Sequence, residues 1–200
     1  MKVEQIYTGC LAQGAYYIES DGEAAIIDPL REVEPYIQKA ERNHAKIKYV
    51  FETHFHADFV SGHIDLAKKT GAKIIYGPTA KTAFDAISAE DGQEFKIGKA
   101  TIKVLHTPGH TMESSCFLLK DEKGKEIGLF SGDTLFIGDV GRPDLAGLVV
   151  AFGAFQIQNL FRQLQNGFRL DARLRRVVDS ARRVAVRFGD FGFRLRKFFL

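Results

Sequence analysis

Residues 46–59 read KIKYVFETHFHADF. Lys46–Phe51 alternates into an apolar run rich in β-formers, which predicts a buried strand. That strand runs straight into Glu52-Thr53-His54. Beyond it, His54, His56 and Asp58 follow at intervals of two. In a turn just past a strand, side chains spaced by two can converge on one point. Two imidazoles and a carboxylate within five positions are what a metal centre needs, and imidazole nitrogen with carboxylate oxygen suits zinc or iron. Alone, a His-x-His pair in a loop is more often surface or packing.

Further along, two more clusters sit just past predicted strands. His106-Thr107-Pro108-Gly109-His110-Thr111 follows ATIKVL, and the Pro-Gly turn presents His110. Phe130-Ser131-Gly132-Asp133-Thr134 follows Ile127–Phe130, and Gly132 lets the backbone bring Asp133 close to another group. A lone Gly-Asp is usually only a turn. Three strand ends in order, each with a ligand-type side chain, make a stronger pattern than any one of them.

The surrounding chain supplies the framework. Ala15–Ile18 and Ala24–Ile27 are short β-prone runs joined by the hairpin signal Asp21-Gly22, and Asp28-Pro29 ends the second. Residues 33–43 and 60–70 carry helical spacing, the latter stopped by Gly71. Lys73–Tyr76 reads as a strand. QEFKI and ATIKVL are two strands around Gly98-Lys99, and Ser114–Leu119 pairs with Ile127–Phe130 around Asp121–Lys125. The order β-β-α-β-α-β followed by strands predicts an α/β (α+β) chain with a mixed sheet or sandwich and helices outside.

Other chemistry-bearing residues have plainer readings. His44 at a helix end is solvated. His63 caps or packs. His106 supports the Thr-Pro-Gly turn. Cys116 on a strand is a small core residue. Cys10 fits either surface or core, with nothing cationic nearby to make it reactive.

In this order, THFHADF, HTPGHT and LFSGDTLF resemble the metallo-β-lactamase superfamily. LFSGDTLFIGDVGRPDL at 129–145 with HTPGHTMESSCFLL at 106–119 is similar to its persulfide dioxygenases. The resemblance covers residues 1–145 and implies an αββα sandwich with metal at the strand edges. It implies one Fe(II) held by His54, His110 and Asp133, with open positions for a persulfide and O₂. The implied products are sulfite and the thiol. Arg142 in Gly-Arg-Pro-Asp matches a position implied to bind a glutathione carboxylate. Several such enzymes carry rhodanese domains downstream. Two-zinc hydrolases of the superfamily extend the first motif to His-x-His-x-Asp-His, whereas this chain has Phe59, which cannot ligate. His56 and Asp58 then read either as supports that hydrogen-bond a ligand or as a remnant second metal position.

Composition changes at Leu145. The chain has 200 residues and a net charge of +3. Residues 1–145 carry −5 and use mainly Lys; residues 146–200 carry +8 and use mainly Arg. All prolines and histidines precede the change, and nine of the 17 phenylalanines follow it. Two domains are expected: a metal-binding domain at 1–145 and an Arg/Phe-rich segment at 146–200. In that segment Leu160, Leu164 and Phe168 recur at helical spacing. The abrupt swap of base reads as translation out of frame; the alternative is a genuine basic amphipathic tail. Under the first reading the sandwich is incomplete in its C-terminal half, apolar surface is left to drive self-association, and activity is reduced.

Three functions are carried forward. The first is an Fe(II) persulfide dioxygenase. The second is a zinc-dependent thioester hydrolase of the glyoxalase type, with Zn(II) as the alternative cofactor. The third is a non-enzymatic protein whose basic tail binds nucleic acid, which three ordered ligand motifs disfavour. No run of about 18 apolar residues is present, so no membrane helix is expected. Two well-separated cysteines fit a reducing cytoplasm.

Overall fold

The computed structural model describes residues 1–136 and the strand pairing of Asp139–Val140. The elements in order are β1 (Lys2–Thr8), β2 (Gln13–Ser20), β3 (Glu23–Ile27), α1 (Glu34–Arg42), β4 (Lys46–Phe51), α2 (His63–Thr70), β5 (Lys73–Tyr76), β6 (Ile87–Ser88), β7 (Glu94–Ile97), β8 (Ala100–His106), β9 (Ser115–Lys120), β10 (Glu126–Phe130), β11 (Leu135–Phe136) and β12 (Asp139–Val140). Two single-turn 3₁₀ segments, Gly9–Leu11 and Gly132–Thr134, punctuate them.

Six strands form a mixed sheet in the order β1-β2-β3-β4-β5-β6; four form an antiparallel sheet in the order β10-β9-β8-β7. The β2–β3 hairpin turns where Asp21-Gly22 predicts, with φ of 49° and 77°, the left-handed pair that a tight hairpin requires. From β3 to β6 the pairing is parallel, so the connections cross over, and α1 and α2 lie in the first two.

The sheets pack face to face. Ile18, Ile27, Phe51 and Ile75 from the first meet Phe95, Ile97, Ile102, Val104, Phe117 and Leu119 from the second. Phe51 is the hinge of this layer, edge-on to Phe95 at 5.6 Å and 5.0 Å from Phe117. The opposite face of the six-stranded sheet carries Ala15, Tyr17, Ile26 and Val50 against Val33, Tyr36 and Ala40 of the α1 segment and Leu66 of α2. Strands buried on both faces explain the unbroken apolar runs of β3 and β5.

Helix α2 starts at His63, three residues later than its periodicity suggests. Gly62 N–H is given to Pro29 O at 2.9 Å, and Ser61 bridges Leu30. Those extended contacts hold residues 61–62 out of the helix. Two stacked sheets with helices on the outer face of the six-stranded one match the metallo-β-lactamase fold that the motifs imply; among the described residues no helix covers the four-stranded sheet. The composition change at Leu145, the segment 146–200 and Arg142 lie outside the described residues.

Candidate metal centre

β4 ends in Glu52-Thr53-His54, and Asp28 at the end of β3 fixes that exit. Asp28 Oδ1 accepts Thr53 N–H at 2.8 Å and Oδ2 accepts the Thr53 hydroxyl at 2.9 Å. Asp28 stands at φ 48°, an uncommon conformation that places its carboxylate there. The Thr53 hydroxyl, its own proton committed to Asp28, lies 3.0 Å from His54 Nδ1 and accepts there. That leaves His54 Nε2 without a proton and facing Asp133, the arrangement a metal-binding imidazole needs. Burial, and then the neighbouring His56, push the His54 pKa down to about 4, so the ring is neutral at pH 7.

His110 comes from the loop between β8 and β9. The buried carboxylate of Glu113 accepts the N–H of Phe55 at 2.8 Å and the hydroxyl of Thr111 at 2.7 Å. One side chain thus ties the residue after His54 to the residue after His110. His106 Nε2 lies 3.0 Å from Met112 O, which gives it the loop-supporting role expected of it.

Asp133 is carried on the 3₁₀ turn after β10. Gly132 has φ 47°, and a Cβ there would overlap the Thr53 side chain. The close approach that Gly132 was expected to permit is therefore to the strand end bearing His54. Thr134 on the same turn shares a 3.0 Å hydroxyl contact with Thr107.

The three strand ends meet. His110 Nε2 is 3.5 Å and His54 Nε2 4.0 Å from Asp133 Oδ2. One ligand atom from each of the three lies within 4.8 Å of the others. His54 and His110 sit edge to face with ring centroids 4.9 Å apart. Two neutral-type nitrogens and one carboxylate on one side of a point form a facial set that suits a divalent metal.

His56 turns elsewhere. Its Nε2 lies 3.1 Å from Asp28 Oδ1 and 3.7 Å from Glu52 Oε2, and these three residues form a second close group. Burial pulls the His56 pKa down, but the Asp28 carboxylate outweighs it and the net shift is upward. Asp58 is exposed and belongs to neither group. The Phe59 ring lies tilted against His56, with centroids 4.3 Å apart. In the sequence, Asp28 reads as a strand stop, and nothing assigns a role to Glu52, Glu113 or the Thr53 hydroxyl. A carboxylate directly after the apolar run Tyr49-Val50-Phe51 is the one signal the sequence offers for Glu52.

The sequence profile of the metallo-beta-lactamase superfamily matches residues 8–185. The chain belongs to the metallo-beta-lactamase superfamily. The profile runs past the change in composition at Leu145. Within the superfamily, the chain is 33% identical over 140 residues to the cytoplasmic hydroxyacylglutathione hydrolase of Arabidopsis thaliana, covering 66% of this chain and 53% of that protein. A solved metallo-beta-lactamase from Staphylococcus aureus is 39% identical with a TM-score of 0.74, covering 80% of this chain and 51% of that one. ETHE1 from Myxococcus xanthus superposes with a TM-score of 0.75 over 96% of this chain and 91% of that one; at 21% identity this speaks for the fold alone. The chain spans about half the length of the curated relatives it matches. Among the described residues, no helix is long and apolar enough to cross a membrane.

Proposed function

We propose that this metallo-beta-lactamase superfamily member is a persulfide dioxygenase, with one Fe(II) as its catalytic ion held by His54, His110 and Asp133. The observation that carries the reading is the division of the histidines: His54 and His110 face Asp133 while His56 faces Asp28 and Glu52. A three-ligand set on one side leaves open positions for substrate and oxygen, as in the 2-His-1-carboxylate oxygenases. Iron would supply the binding and activation of O₂ and of a persulfide sulfur, chemistry that side chains lack. Overall, persulfide, O₂ and water give thiol, sulfite and protons.

The protein's own contribution is positional. The Asp28–Thr53–His54 chain fixes one tautomer of one ligand. Glu113 holds two ligand loops in register. Phe59 removes a ligand that a two-metal site of the superfamily would use. Arg142 is proposed to meet the carboxylate of a glutathione-type carrier, and the cytoplasm is the proposed setting.

A second reading is a zinc thioester hydrolase, and the curated relatives' name, hydroxyacylglutathione hydrolase, favours it over the dioxygenase. Anaerobic purification, metal analysis and paired assays separate the two. Iron that Asp133→Ala removes, with sulfite released from glutathione persulfide, supports the dioxygenase. Zinc at the same residues with hydrolysis of a hydroxyacylglutathione, and no sulfite, overturns it. Turnover per bound iron, compared with a relative of the fold that lacks the Arg-rich segment, measures what residues 146–200 contribute.

A further inference from the structure

We propose that Asp28, Glu52 and His56 form a second, buried divalent-cation site, separate from the His54, His110 and Asp133 centre. Glu52 is fully buried, and the only hydrogen bond to its carboxylate among the described residues is from Ser61 Oγ to Oε1 at 2.6 Å. Its other oxygen, Oε2, has no partner among them. Buried polar atoms are nearly always satisfied, and an orphan carboxylate oxygen calls for a counter-charge.

The same point collects other orphans. His56 is 8% exposed at its side chain, and its Nε2 also lacks a hydrogen-bond partner among the described residues, although Asp28 Oδ1 is only 3.1 Å away. The imidazole nitrogen is near the carboxylate without being aligned to donate to it. A shared ion explains that combination. With bonds of about 2.1 Å to N and O ligands, neighbouring ligand atoms on one ion sit roughly 3–3.7 Å apart. The observed gaps from His56 Nε2 are 3.1 Å to Asp28 and 3.7 Å to Glu52. Asp28 is able to serve, because its two bonds from Thr53 leave a further lone pair on each oxygen.

Charge points the same way. Once the His56 ring gives up its proton to ligate, two carboxylates and an imidazole sum to −2, which a divalent ion cancels. One nitrogen and two oxygens are a borderline donor set that suits zinc, manganese or ferrous iron. The surroundings suit a structural ion and not a reacting one. Phe59 covers His56 at 4.3 Å. His63 stands 3.6 Å from Glu52 Oε1, itself packed against Phe84 and Tyr76. An ion here would join the end of β3, the end of β4 and the loop after β4, and Ser61, before α2, bonds both Glu52 and Pro29 O.

The test uses the full chain stripped of metal, equilibrated with Zn²⁺ and counted, with Co²⁺ absorption as a second readout. Two equivalents are expected in the wild type, one in Asp133→Ala, one in Glu52→Gln and none in the double variant. Zn²⁺ is expected to raise the Tm of Asp133→Ala and leave that of the double variant unmoved. A wild type that takes one equivalent, an Asp133→Ala protein that takes none, or a Glu52→Gln protein that still takes two overturns the site. Should Glu52→Gln fail to fold, the Asp133→Ala count alone decides. Glu52→Gln mimics a protonated carboxyl, so unchanged metal binding in it identifies a proton in place of the ion. No readout is turnover, so the result stands apart from the dioxygenase reading.

Discussion

Glu113 reaches across 58 residues of sequence to accept the backbone N–H of Phe55 at 2.8 Å. The same carboxylate oxygen holds Thr111, so the loops bearing His54 and His110 share one anchor. Removing it leaves a part-buried N–H unpaired and frees both loops. Glu113→Ala is expected to weaken metal binding at His54, His110 and Asp133 by about 10–100-fold. Glu113→Gln keeps an acceptor oxygen and should fall between. Competition with a chromophoric chelator measures both. Equal affinity in Glu113→Ala and the wild type would remove Glu113 from the support of the site.

Gly132→Ala tests the closeness of two strand ends. The added methyl has no room beside Thr53, and the φ of 47° disfavours any Cβ. The expected cost is about 1–3 kcal/mol of stability, with weakened metal binding because Asp133 is the next residue. Thermal melts with and without metal separate the two effects. A variant with wild-type Tm and affinity contradicts the geometry.

Thiol labelling reports the burial of β9. Cys10 is exposed and Cys116 is buried. Burial pushes the Cys116 thiol up to about 11, so little thiolate forms at pH 7–8. One thiol is expected to react with a maleimide or disulfide reagent in the native chain and two after denaturation. Rapid labelling of Cys116 in the native state would show that this strand opens.

Acid stability should register Glu23. Its carboxylate accepts Gly98 N–H at 2.7 Å and pairs with Lys48 at 2.9 Å. The Gly98 N–H first, and Lys48 second, hold its pKa below the ordinary 4.5. A lowered folded-state value means that the contribution is present above the ordinary carboxylate range and fades as pH falls through the lowered one. Glu23→Gln should therefore be less stable than wild type at neutral pH, with the gap closing in acid. A gap that persists undiminished at low pH would assign the loss to packing. Denaturant melts across the acid range measure it.

The elements that could be read from sequence are those whose local chemistry and tertiary role agree. Asp21-Gly22 is a turn in isolation and in the fold. Lys73–Tyr76 is apolar because both faces are covered, so its bounds were visible. β1 was not seen. It is a sheet edge whose residues are mostly exposed, so no alternation marks it. β6 is two residues long and exists only because β5 offers a parallel partner. At the site, His54, His110 and Asp133 stood out because ligand residue types followed strands. Asp28, Thr53 and Glu113 act through partners brought close only by folding, and a single sequence carries no mark of such pairs. Phe59 announced the missing ligand, but not that His56 would swing toward Asp28.

The ligand arms arise from different layers. His54 leaves the six-stranded sheet; His110 and Asp133 leave the four-stranded one. An ion gripping all three is a clasp between the layers as well as a reagent. Any slip of one sheet over the other stretches the coordination sphere, and any occupant of that sphere resists the slip. A metal bound there would stabilise the folded state by an amount set by its free concentration relative to its dissociation constant. In a sandwich held mainly by non-directional apolar contact, it supplies a directional tether at one edge.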